Sequence, residues 1–81
     1  MQQYLSQHKT LRLAAHRNLG QIYAGTGKMG LCEEEFRRAT ESFPAEIQAW
    51  QMLGRVLEIQ GKSEAMQEVI AKIRQLQSGG A

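Results

Sequence analysis

Residues 13–46 and 47–80 read as two copies of one unit, and a period of 34 residues restricts the fold more tightly than any single motif does. Shifting the second copy back by 34 positions sets Ala49, Leu53, Gly54, Gly61, Lys62 and Glu68 on Ala15, Leu19, Gly20, Gly27, Lys28 and Glu34. Between these identities the exchanges keep their character: Leu13 falls on Ile47, Ile22 on Val56, Tyr23 on Leu57, Phe36 on Ile70 and Arg38 on Lys72. A short unit that cannot bury its own apolar face stacks on its neighbours, so the expected product is a quasi-linear array.

Apolar spacing makes that array helical. Leu11, Ala15, Leu19, Ile22 and Tyr23 recur at steps of three and four, which predicts a first helix from about Leu11 to Ala24 with Thr10 as its N-cap and these residues facing inward. Gly25-Thr26-Gly27 ends it. Leu31 to Ser42 forms a second helix on the contacts of Leu31, Phe36 and Ala39, with Glu33, Glu34 and Glu35 near its N-terminal dipole end. Pro44 suits the first turn of a third helix, which runs to about Gln60 with Ile47, Trp50, Leu53, Val56 and Leu57 inward. Gly61 breaks that helix, and Ser63 caps a fourth that continues to about Gln77. Residues 2–9 add a short helical turn carrying Tyr4 and Leu5 onto the first pair. Gly27 and Gly61 are expected in the left-handed conformation at helix ends, whereas Gly20 and Gly54, inside helices, call for the close approach of a partner helix.

The second copy opens Trp50-x-x-Leu53-Gly54-x-x-Leu57, and the first runs Leu19-Gly20-x-x-Tyr23, then Cys32-x-x-x-Phe36, Ala39 and Pro44. This pattern resembles the tetratricopeptide repeat, with W-x-x-L-G-x-x-Y, A-x-x-x-F, A and P spread over 34 residues. His16 stands at the Trp position of the first copy, Leu57 at the Tyr position, Cys32 and Met66 where a small Ala is usual, and Ser78 at the closing Pro. The resemblance implies an all-α fold of antiparallel helix-turn-helix repeats: a single domain over 1–81, with repeats at 13–46 and 47–80 and an N-terminal extension over 1–12. It also implies a non-catalytic module for protein-protein interaction.

Length and charge bound the rest. A chain of 81 residues buries only about 60–65% of its unfolded surface. Two repeats fall below the usual three, so the chain is expected to be a fragment of a longer array or to be covered at its ends by another helix or a second copy. Val69, Ile73 and Leu76 on the last helix offer such an edge, which makes self-association the expected behaviour of the isolated chain. No apolar run reaches the ~18 residues of a membrane span, and Met1 to Lys9 hold no apolar signal core, so a soluble and cytoplasmic protein is expected. Residues 1–32 carry Lys9, Arg12, Arg17 and Lys28 with no acid, while all eight Glu lie from Glu33 onward and Asp is absent. An acidic partner would therefore meet the first helix first, although a solvated helical face has the same composition. The charge balance of the second half disfavours a nucleic-acid binder.

Catalytic and cofactor motifs fail one by one. Gly25-Thr26-Gly27-Lys28-Met29-Gly30 is a literal G-x-G-x-x-G, but it follows a helical segment rather than a buried strand, and about 20 residues on stands Ala45, with Glu46 beside it only as the start of the next helix, so it reads as a turn between helices. His8 and His16 stand apart from any carboxylate or thiol at metal spacing, and His16 is expected to pack. Cys32 is flanked by Glu33, Glu34 and Glu35, which would raise its pKa. Neither an enzyme nor a metal or cofactor site is indicated.

In tetratricopeptide arrays the first helix of each pair lines a concave groove. By register the resemblance places Ala14, Arg17, Asn18, Gln21 and Ala24 there from the first copy, and Gln48, Gln51, Met52, Arg55 and Glu58 from the second. Arg17, Asn18, Gln21, Gln48, Gln51, Met52 and Arg55 are the candidate partner-binding residues. Some members of the family clamp a peptide's terminal carboxylate through a base, Asn residues and a third repeat. Here Arg17 fits and Gln21 approximates, but Met52 occupies an Asn position, so that specificity does not carry over.

Overall fold

In a computed structural model, which describes the backbone of residues 2–79 and the side chains of residues 8–79, the chain forms four helices: α1 (Gln2–Gly25), α2 (Met29–Ser42), α3 (Ile47–Gln60) and α4 (Ser63–Gly79). Each packs on its sequence neighbours, α1 on α2, α2 on α3 and α3 on α4, to make a slab of 39 × 27 × 13 Å. Short turns force consecutive helices to run antiparallel. The backbone hydrogen bonds show why the turns recur at the same step. Gly27 and Gly61 sit at φ +77° and +73°; Lys28 N–H donates to Tyr23 O at 2.8 Å and Lys62 N–H to Leu57 O at 2.9 Å. Gly27 N–H donates to Ala24 O and Gly61 N–H to Glu58 O, completing one Schellman motif at the end of each first helix.

The core follows the repeat, with one informative exception. Cys32, Phe36, Leu53, Val56, Leu57 and Val69 form its main cluster, and Leu13, Ala39 and Ala49 a second. On α1, however, Tyr23 alone of the expected stripe packs on the core. Leu11 and Ile22 are 69% and 60% exposed, Leu19 is 38% exposed and Ala15 is exposed as well, while Leu13 and Gly20 are buried and His16 and Tyr23 half-buried. Periodicity identifies an apolar stripe without saying what covers it, and α2 covers the neighbouring one.

The helix ends also differ from expectation. α1 starts at Gln2, so Thr10 lies within it and is no N-cap, and residues 2–9 belong to the same helix. The expected packing of Tyr4 and Leu5 falls outside the described side chains. α2 starts at Met29, with Met29 half-buried and Leu31 41% exposed. Its first turn holds no acid, so Glu33, Glu34 and Glu35 sit beyond the reach of the terminal dipole. Pro44 lies in the turn ahead of α3, whose N-cap is Glu46, and its carbonyl accepts the Trp50 Nε1–H at 2.8 Å. Ser63 is the first residue of α4 rather than its cap, and α4 extends to Gly79.

Val69 is 4% exposed and packs into the main core beside Gly54. It is therefore not part of the open edge assigned to it; on α4, Ile70 at 38% exposure takes that place. A Val69→Glu change would put a charge into the core and destabilise the second hairpin.

Polar pairs tie the helices at fixed points. Buried Glu35 is hydrogen-bonded to His16 Nδ1 at 2.5 Å and lies 3.6 Å from Arg38, so the histidine expected only to pack also gives a core carboxylate a polar partner between α1 and α2. Lys9 pairs with Glu46 at 2.8 Å. Glu33 binds across to the end of α3: Lys62 Nζ at 2.7 Å and Gln60 Nε2 at 2.8 Å both donate to Oε1, and Arg37 donates to Oε2 at 2.9 Å.

The Lys62 ammonium, aided by Gln60 and Arg37 and opposed by burial, holds the Glu33 carboxyl down to about 2. A depressed folded-state pKa adds stability that is present above the ordinary value of 4.5 and is lost as the pH falls through about 2. Glu33→Gln should therefore cost about 1–2 kcal/mol at pH 7, allowing for solvent screening. Urea midpoints for the two proteins should converge between pH 4.5 and pH 2; a gap independent of pH would assign the loss to packing.

Candidate functional site

A groove of about 660 Å³ runs along one face of the slab, walled by the first helix of each pair. Arg17, Gln21, Ala14 and Ala24 reach it from α1, and Gln48, Gln51, Met52 and Arg55 from α3. Helical spacing explains the convergence: positions 14, 17, 21 and 24 form one stripe of α1, and 48, 51 and 55 repeat it one period later on α3. Six of the seven candidate partner-binding residues thus share one groove. Asn18 does not line it, nor does Glu58. Asn18 lies one step further round α1, beside the exposed Leu11, Ala15 and Ile22, and its repeat equivalent Met52 is half-buried against both core clusters.

The groove floor was not foreseen from the register of the first helices alone. Met29, Cys32 and Phe36 come up from α2, and Thr10, Leu13, Val56 and Ile59 complete the lining. Cys32 is 1% exposed, and it is this burial, rather than the neighbouring glutamates, that pushes its thiol above the ordinary range. An inert thiol follows.

Arg17 and Arg55 are both exposed, and neither meets a carboxylate among the described residues. The groove therefore combines an apolar floor, amide side chains that can donate and accept, and two uncompensated guanidinium groups on facing helices. Such a surface can dock a polypeptide through hydrogen bonds and charge. Among the described residues no group of three potential metal ligands occurs, and no helix is long and apolar enough to cross a membrane.

Two stacked helical hairpins with a groove along their first helices define a helical-repeat protein. The family model for the Tetratricopeptide repeat matches residues 14–46 and 47–76, and the chain belongs to that family. Members are generally protein-protein interaction modules and typically non-catalytic. No curated protein and no solved structure matches the chain significantly.

Proposed function

We propose that the groove between α1 and α3 captures an extended or helical segment of a protein partner, with Arg17 and Arg55 donating charge-assisted hydrogen bonds to its carboxylate or carbonyl oxygens. The observation that carries this reading is the pair of arginines lining one groove without an acidic neighbour. Gln21, Gln48 and Gln51 would satisfy the partner's backbone, and Met52 would adapt to its apolar side chains. No cofactor or metal enters this mechanism.

Replacing Gln51 with a photoreactive benzoylphenylalanine should crosslink the partner in cells. Arg17→Glu with Arg55→Glu should abolish that crosslink while moving the thermal midpoint by less than about 2 °C, since exposed charges contribute little to folding. A crosslink that survives the double reversal would remove the arginines from recognition. A second reading, association through the open end of the array, draws support from the exposure of Leu11 and Ile22 on the outer face of α1.

A further inference from the structure

The outer stripe of α1 has an internal counterpart whose covering helix is known. Ala15, Leu19 and Ile22 are equivalent to Ala49, Leu53 and Val56 of α3, which are 0%, 1% and 3% exposed. α2 packs on this stripe, with Val69 of α4 in the same cluster as Leu53: Cys32 and Phe36 share a core cluster with Leu53 and Val56, and Ala39 shares one with Ala49. The same interface is closed at one end by an ion pair, Lys62 to Glu33. On α1 the counterpart of Lys62 is Lys28, which is exposed and meets no carboxylate among the described residues. The segment that bears the stripe, residues 1–32, has four bases and no acid.

We propose that the Leu11–Ala15–Leu19–Ile22 face of α1 docks an amphipathic helix of a partner protein that places a glutamate or aspartate against Lys28, in the manner of Glu33 against Lys62. This deepens the reading of association through the open end by naming the chemistry of its occupant. The match required is small–x–x–x–aromatic–x–x–small on the partner helix, with the acid one residue after the first small position, as in Cys32-Glu33-x-x-Phe36-x-x-Ala39. Charge complementarity decides against α4 of a second copy. At the positions of Glu33, buried Ala39 and buried Thr40, α4 carries Gln67, Ile73 and Arg74. It would offer no acid to Lys28, a larger side chain where Ala39 touches none of the solvent, and a charge where Thr40 is buried. Nor is the occupant the helix that a regular array places just ahead of α1, because residues 9–12, equivalent to the Phe43–Glu46 turn, are helical.

The probe is a peptide of residues 28–43 carrying Arg38→Lys and closed by a lactam to Glu34, two solvent-facing positions one turn apart, which removes the cost of forming an isolated helix. Titrated into the full chain, it should shift the methyl resonances of Leu11, Leu19 and Ile22 and leave that of Met52 in place. The peptide with Glu33→Gln, or the chain with Lys28→Gln, should each bind about 3–10-fold more weakly, and the two changes together should cost no more than either alone. Leu11→Glu with Ile22→Glu, at exposed positions that leave helicity intact, should abolish the shifts. A peptide of residues 63–79 should bind at least tenfold more weakly; equal binding would overturn the acidic requirement. Absence of shifts up to millimolar peptide, or shifts confined to the groove, would overturn the proposal. Shifts of the same methyls that follow the concentration of the chain alone would assign the face to a second copy, sinking the proposal while leaving association through the open end intact.

Discussion

Leu53→Ala should lower stability by about 2–4 kcal/mol, and Leu19→Ala, at the equivalent position of the other repeat, by less than about 1 kcal/mol. The two leucines occupy the same place in the repeat pattern. Leu53 is 1% exposed, between Phe36, Val56, Leu57 and Val69, so its removal leaves a cavity that close-packed neighbours cannot fill. Leu19 is 38% exposed, so truncation there loses little burial and opens no void. For a domain of this size the first change corresponds to a fall of roughly 10–25 °C in melting temperature. Urea unfolding with matched slopes for the three proteins provides the check. Equal losses at both sites would mean that α1 is covered in solution by something bound to its outer face.

The second large effect is expected at Gly20. A Cβ there would lie 2.4 and 2.5 Å from Phe36 Cε1 and Cζ, inside the van der Waals limit of a ring that is itself in the core. Gly20→Ala must displace that ring. Overpacking costs about 1–3 kcal/mol and outweighs a gain of about 1 kcal/mol in helix propensity. At Gly54 the same addition meets only Val69 Cγ1 at 3.2 Å, and the propensity gain should hold Gly54→Ala to within about 0.5 kcal/mol of the parent. A Gly20→Ala, Phe36→Leu double variant tests the cause, because the shorter side chain makes room for the new methyl. The pair should be more stable than the sum of its single losses predicts, and strict additivity would place the cost of Gly20→Ala elsewhere.

The uneven contacts at the two glycines also show how the hairpins differ. Phe36 packs against Gly20 in the first, whereas Val69, the counterpart of buried Glu35, takes that role in the second. The helix of the second hairpin therefore presents a different stripe inward. The exchange of Phe36 for Ile70 and Glu35 for Val69 is visible in the sequence, but its effect on rotation is not, since both Val69 and Ile70 are apolar and period alone cannot rank them.

Six of the seven candidate groove residues are legible because register on a helix is a local property: a turn of about 3.6 residues suffices to put Arg17 with Gln21, and Gln51 with Arg55, on one side of its helix. Asn18 borders two stripes and faces away from the groove, and the floor residues Met29, Cys32 and Phe36 come from a helix whose distance from the groove no register contains.

By itself the sequence determined the repeat length, the four helices, the Schellman turns at Gly27 and Gly61, and the family, all of which depend on interactions within one unit or on the period between two. Tertiary structure alone decided which apolar stripe each helix buries. Leu19 and Leu53 are the same residue in the same local setting, yet only Leu53 has a helix in front of it. Burial is a property of the neighbour, and a chain that presents the same face twice covers it once.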